Sequence, residues 1–144
     1  MLLNMVGPMT IYHFESVASV DSVSRVVDWA QKAATGHPEV AAASINALIV
    51  CLHELVANVV LHAKREDGAP MFRVGLQIEL EHLAISIEDN GDAFDPITDV
   101  PEILAEENRP SGAGGLGVRI VCELVDKIFY NRIGEWNCLR LEFA

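Results

Sequence analysis

The sequence predicts an α+β fold: a two-layer α/β sandwich whose mixed, mostly antiparallel sheet is covered by helices on one face. Three observations predict it. Phe72, Val74, Leu76, Ile78 and Leu80 alternate with Arg73, Gly75, Gln77, Glu79 and Glu81, and Leu83, Ile85 and Ile87 resume the alternation after a turn expected at Glu81-His82. That period of two belongs to strands buried on one face. Ile45, Leu48, Ile49, Leu52, Leu55, Val56 and Val59 recur at helical spacing in a run expected from Pro38 to Ala63. A closing hairpin is expected from Lys127 to Ile133, a turn at Gly134, and Trp136 to Phe143, with Leu139, Leu141 and Phe143 on one face. One-sided strands call for helices on a single side.

Taken in order, a short strand is expected from Thr10 to Glu15, then a helix from Asp21 to Ala34 in which Val23, Val26, Val27 and Ala30 form the stripe and Gly36 is the stop. Pro38 suits the first turn of the long second helix, whose length marks it as a central core element. Between Pro96 and Ser111 the chain is polar and proline-flanked, with a weak helical signal near Glu102 to Glu107; so long a loop is functional or disordered. Leu116, Ile120, Val121, Leu124 and Val125 then stripe a last helix that ends before Lys127. A length of 144 residues fits one domain, 1–144.

With 10 Lys and Arg against 21 Asp and Glu, the formal charge is −11. Binders of the phosphate backbone cluster positive charge, so no nucleic-acid partner is expected, and a protein or a metal-chelated nucleotide is. Cys51, Cys122 and Cys138 form no CxxC pair and no zinc spacing with histidines, which predicts buried free thiols. The apolar Met1 to Gly7 has no positive n-region, and no run approaches the ~20 apolar residues of a span. A soluble, cytoplasmic protein without a membrane is the expectation.

Three segments carry chemistry. Glu54 and Asn58 lie four residues apart in an apolar run, hence on one helix face. A carboxylate there can take a proton from, or orient, a nucleophile, and an amide oxygen is a hard, uncharged ligand suited to Mg²⁺. An arbitrary pair of this kind simply faces solvent. His62 continues the same face, where a capping or core role is expected.

The second segment is Asp89-Asn90-Gly91-Asp92-Ala93-Phe94-Asp95-Pro96. At a strand end, Asp89 could accept a hydrogen bond from an exocyclic amine such as adenine's. Gly91 would let the backbone approach a base, and Phe94 adds an apolar wall. Alone, such a segment is a routine turn.

The third, Gly112-Ala113-Gly114-Gly115-Leu116-Gly117, satisfies the dinucleotide GxGxxG pattern by letter. No buried strand feeds it, no aspartate ends a second strand about 20 residues on, and no GxxxxGK[ST] sequence is present. What remains is a glycine loop opening a helix, whose free amides and partial positive charge suit phosphate, or a linker before a core helix.

Jointly, in this order and spacing, the segments resemble the N, G1 and G2 boxes of the GHKL or Bergerat ATPases, the superfamily of histidine kinases, gyrase-type topoisomerases and mismatch-repair ATPases. The resemblance covers about Pro38 to the C-terminus. The size, Phe94-Asp95-Pro96, Leu116-Gly117-Val118-Arg119-Ile120-Val121, Leu124-Val125-Asp126 and Tyr130 are most similar to the anti-sigma-factor serine/threonine kinases. The resemblance implies the Bergerat ATP-binding fold and Mg-ATP as cofactor. It implies Glu54 as general base or water-orienting residue, Asn58 as Mg²⁺ ligand and Asp89 as adenine reader. Gly91, Phe94, Gly112, Gly114, Gly115, Leu116 and Gly117 would shape the nucleotide pocket. Residues 97–111 would be the ATP lid, and Arg109, its one basic residue, would meet the γ-phosphate unless it is a solvated surface charge. The implied partners are a sigma factor and an anti-sigma-factor antagonist protein that receives the phosphate. A non-catalytic ATP-binding module and a detached histidine-kinase domain are the alternatives. The polar strand face carrying Arg73, Gln77 and Glu79 is a candidate surface for a homodimer or partner, or merely solvated.

Overall fold

The computed structural model describes residues 8–95 and 115–143, the latter with the backbone alone at 115 and 116. In chain order it contains β1 (Met9–Val17), α1 (Val20–Thr35), α2 (Ala42–His62), β2 (Met71–Glu79), β3 (His82–Asp89), α3 (Gly115–Leu124), β4 (Lys127–Ile133) and β5 (Trp136–Phe143). The sheet order is β1-β2-β3-β5-β4, and every neighbouring pair is antiparallel. The α+β sandwich is therefore the expected one, with a sheet antiparallel throughout the described residues.

Strand alternation builds one wall of the core. Phe72, Val74, Leu76 and Ile78 of β2, Leu83, Ile85 and Ile87 of β3, and Leu139, Leu141 and Phe143 of β5 are all buried. They meet Leu48, Leu52, Leu55 and Val56 of α2, with Val26, Ala30 and Ala34 of α1 and Val121 of α3 completing the cluster. Each large aliphatic side chain so removed from water contributes about 1.5–3 kcal/mol before entropy is charged against it.

Several local expectations are corrected. α2 begins at Ala42, four residues after Pro38. Residues 37–41 form turns instead, in which the His37 and Val40 amides donate to the carbonyls of Ala34 and His37. The His37 ring is held at this turn, 2.8 Å from the Tyr12 hydroxyl and 3.0 Å from the Glu39 carboxylate. Gly36 does end α1, but with a right-handed φ of −71°. The β2–β3 turn is Leu80-Glu81, because Glu79 pairs with His82. Leu80 takes a φ of 54° at the first turn position, where Gly134 takes 58° in the β4–β5 hairpin. Glycine bears that conformation without the steric cost a leucine carries.

Only Cys51 is a buried thiol. Cys122 is exposed and Cys138 half-buried, and all three are free. Burial pushes the Cys51 thiol up to about 12, so it is inert as a nucleophile. α2 is also long and apolar enough to span a membrane by length and composition, with a mean hydropathy of 1.8 in its most apolar window. Its buried residues Leu48, Cys51, Leu52, Leu55 and Val56 face the core of the sandwich. On the open face of the sheet, the Arg73 guanidinium lies 3.8 Å over the Trp136 ring and donates to Glu88 at 3.1 Å, so its charge is already met within the chain.

Candidate functional site

The C-terminal half of α2, the end of β3, the loop after it, the start of β5 and α3 enclose a cavity of about 380 Å³. That lies within the roughly 300–1,000 Å³ of small-molecule sites. Its wall is mostly apolar, from Leu55, Val59, Ile87, Phe94, Val118 and Leu139, with Asn58, His62, Asp89, Asp92, Tyr130 and Asn137 as its polar members.

Asp89 is the last residue of β3 and stands in register between Phe72 and Asn137. It continues the inward phase of Leu83, Ile85 and Ile87, which turns a carboxylate into the cavity instead of into water. Its Oδ1 accepts from the Gly91 amide at 3.1 Å and from Asn137 Nδ2 at 3.0 Å. Oδ2 has no hydrogen-bond partner among the described residues. Burial is the largest influence on the carboxyl and holds it above the ordinary carboxylate range, against the downward pull of Asn137, Gly91 and Arg132. A half-buried acceptor with one oxygen unengaged among the described residues, set in a mostly apolar wall, fits a flat heteroaromatic ring carrying an amine.

The loop after Asp89 is fixed from several sides. The Asp92 amide donates to the Lys64 carbonyl at 2.9 Å, Arg132 Nη1 to the Gly91 carbonyl at 2.8 Å, and Arg65 Nη1 to the Asn90 carbonyl at 3.2 Å. Gly91 is required by close approach: a Cβ there would stand 2.8 Å from Ala63 Cβ. Phe94 is 45% exposed at the cavity mouth.

Asn58 reaches the cavity wall from α2. Glu54 is one turn earlier and not part of that wall. Its carboxylate packs on Gly117 at the start of α3, where a Cβ would overlap Glu54 Oε2. The close approach of α2 to α3 thus depends on glycine at 117, and it sets the carboxylate beside a helix start. Neither Glu54 nor Asn58 makes a hydrogen bond among the described residues. No group of three His, Cys, Asp or Glu there could hold a metal. An Asn58 amide joined by phosphate oxygens and water is the donor set that suits Mg²⁺, which keeps several waters.

Arg109, Gly112, Gly114 and the segment 97–111 lie outside the described residues. Gly115 and Leu116 open α3, as the glycine loop predicts for them.

Sequence reasoning gave no site role to Asn137, Tyr130 or Asp92, all three of which line the cavity. Asn137 is only 5% exposed, in the same phase as Leu139, Leu141 and Phe143. A polar residue at a core position of an alternating strand was the available signal. His62 also lines the cavity, beyond the capping or core role expected of it.

Residues 17–143 match the histidine kinase-like ATPase domain family. A similar curated protein is the serine/threonine-protein kinase BtrW of Bordetella bronchiseptica, 29% identical over 94 residues that cover 65% of this chain and 66% of the relative, just under two thirds of its length. Among solved structures, the RsbU and RsbW domains of Rv1364c from Mycobacterium tuberculosis superpose with a TM-score of 0.67 at 14% identity. That match covers 94% of this chain, which spans 32% of the other. The histidine kinase domain of Erythrobacter litoralis EL346 blue-light activated histidine kinase gives 0.54 at 16% identity, over 85% of this chain and 59% of that one. At these identities the two structures establish likeness of fold.

Proposed function

The chain belongs to the histidine kinase-like ATPase domain family, and on that premise we propose that it is an anti-sigma regulatory kinase that uses Mg-ATP to phosphorylate a serine or threonine of an antagonist protein. The observation that carries the nucleotide half of this reading is Asp89, a half-buried acceptor in a mostly apolar cavity, with Oδ2 unengaged among the described residues. The similarity to a serine/threonine-protein kinase supports the choice of acceptor.

Each residue then has a task. Asp89 accepts from the exocyclic amine of the base, and the apolar wall excludes water from that bond, which strengthens it. Asn58 offers its amide oxygen to magnesium. Glu54, held beside Gly117, orients the attacking hydroxyl and takes its proton. Arg109 supplies the positive charge of the segment 97–111. The nucleotide supplies the transferable phosphoryl group and the metal offsets its charge, so positioning and electrostatics are most of what the protein must add. By the same resemblance, the non-catalytic function is to bind and silence a sigma factor, which the antagonist relieves.

Incubation with γ-labelled ATP, magnesium and antagonist-class proteins tests the proposal. It predicts an acid-stable phosphoserine or phosphothreonine on the antagonist. An acid-labile product would assign the chain to histidine phosphorylation. Intact ATP binding with no transfer to any antagonist would leave a non-catalytic module.

A further inference from the structure

Asn137 has all four of its amide hydrogen-bonding positions filled. Nδ2 donates to Asp89 Oδ1 at 3.0 Å and to the Asp92 carbonyl at 2.8 Å. Oδ1 accepts from the Phe94 amide at 3.1 Å and from the Tyr130 hydroxyl at 2.6 Å. Three of these partners have fixed polarity. A backbone N–H can only donate, while a carbonyl and a carboxylate oxygen can only accept, so the orientation of the amide is determined by chemistry. The side chain joins β3, the loop through Phe94 and β4 from a position 48 residues beyond Asp89.

We propose that Asn137 is a positioning residue for the base: it fixes the Asp89 carboxylate and the Phe94 wall in one arrangement and commits Oδ1, so that Oδ2 alone is left to recognise the ligand. The inference rests on the assignment of the cavity to an adenine nucleotide and adds what sets its selectivity. With Oδ1 accepting two N–H groups, a proton arriving at Asp89 goes to Oδ2, the same oxygen the amine needs. Protonation would turn that oxygen into a donor, which repels an adenine amine and suits the carbonyl oxygen of guanine. Asn137 therefore favours adenine by keeping the carboxyl ionised. The other charged or titratable groups around Asp89 are His62 from α2, Asp92 and Asp95 from the loop, Tyr130 and Arg132 from β4, and Cys138 from β5. They are unchanged in the variants below.

The test is ATP and GTP affinity from about pH 4 to 8 for the wild type, Asn137→Ser and Asn137→Leu, each first shown to retain a cooperative melt. Serine is too short to bridge Asp89 and Phe94, and it keeps a strand residue should leucine disturb the fold. Expected is a wild-type ATP affinity that falls in acid through one titration, with a midpoint about half a unit or more higher in both variants. The preference for ATP over GTP near pH 6 should fall by about fivefold or more. A uniform loss of affinity, with midpoint and preference unmoved, would overturn the inference and leave Asn137 as a packing residue. A wild type that binds no ATP would overturn the assignment of the cavity as well, so the two failures are distinct.

Discussion

On the sheet side of the cavity, Asp89, Asn137, Tyr130 and the backbone of residues 91–94 are tied together by hydrogen bonds before any ligand arrives. On the helix side, Glu54 and Asn58 share a face of α2 and make no hydrogen bond among the described residues. On the proposed function, the difference separates recognition from chemistry. A base has a fixed shape and a fixed donor pattern, so its partner gains from being held in place, and ordering cost is met during folding. Phosphate oxygens, metal and attacking hydroxyl arrive together, and groups without prior partners can receive them without first breaking a bond.

If the two sides divide the work in this way, substitutions on them should move different quantities. The largest effect is expected at Glu54. Glu54→Gln should lower the rate of phosphoryl transfer by about 10²–10⁴-fold, the usual worth of a general base, while ATP affinity stays within about twofold. Equal loss of rate and affinity would merge the two sides.

Asp89→Asn should lower ATP affinity by about 100-fold, since it replaces a charged acceptor by a donor facing the amine. It retains an acceptor for Gly91 and Asn137, so the fold should survive. Burial raises the Asp89 carboxyl, so the folded state holds the proton more tightly than the unfolded chain. The associated stability is present in acid, below the unfolded value, and is lost as pH rises through the raised one. Thermal melts of the ligand-free protein should therefore show Asp89→Asn at least as stable as wild type at neutral pH, with its relative advantage shrinking in acid. A variant less stable at neutral pH would show that the carboxylate is held for the fold and not for a ligand.

Gly91→Ala tests how firmly the sheet side is fixed. The added methyl would meet Ala63 Cβ at 2.8 Å, and overpacking of this kind costs about 1–3 kcal/mol in a chemical denaturation curve. Asn58→Ala should have the smallest effect, a rise of a few fold in the magnesium needed for half-maximal transfer, because a metal keeps its phosphate and water ligands. An unaltered magnesium titration would remove Asn58 as a ligand.

How much of this was legible in the sequence follows the same division. Glu54 and Asn58 could be placed because a helix fixes side chains four apart on one face. Asp89 and Gly91 could be placed because a strand ending in a turn is local. α2 was misjudged at its start because the Tyr12 and Glu39 contacts to His37 that mark the preceding turn are side-chain ties, one of them 25 residues apart in sequence. Asn137 escaped for a related reason. Its four bonds exist only once β3 and β5 pair in the register that puts it opposite Asp89. Its phase with Leu139 marked it as buried, and only the fold could show what it was buried against.

The most direct measurement is parallel calorimetric titration of ATP with magnesium into wild type, Glu54→Gln and Asp89→Asn. The account predicts that wild type and Glu54→Gln bind alike and that Asp89→Asn binds about 100-fold more weakly. Binding by Asp89→Asn within about threefold of wild type, a difference of less than about 0.7 kcal/mol, would contradict it, because the base would then be recognised somewhere other than the sheet side of this cavity.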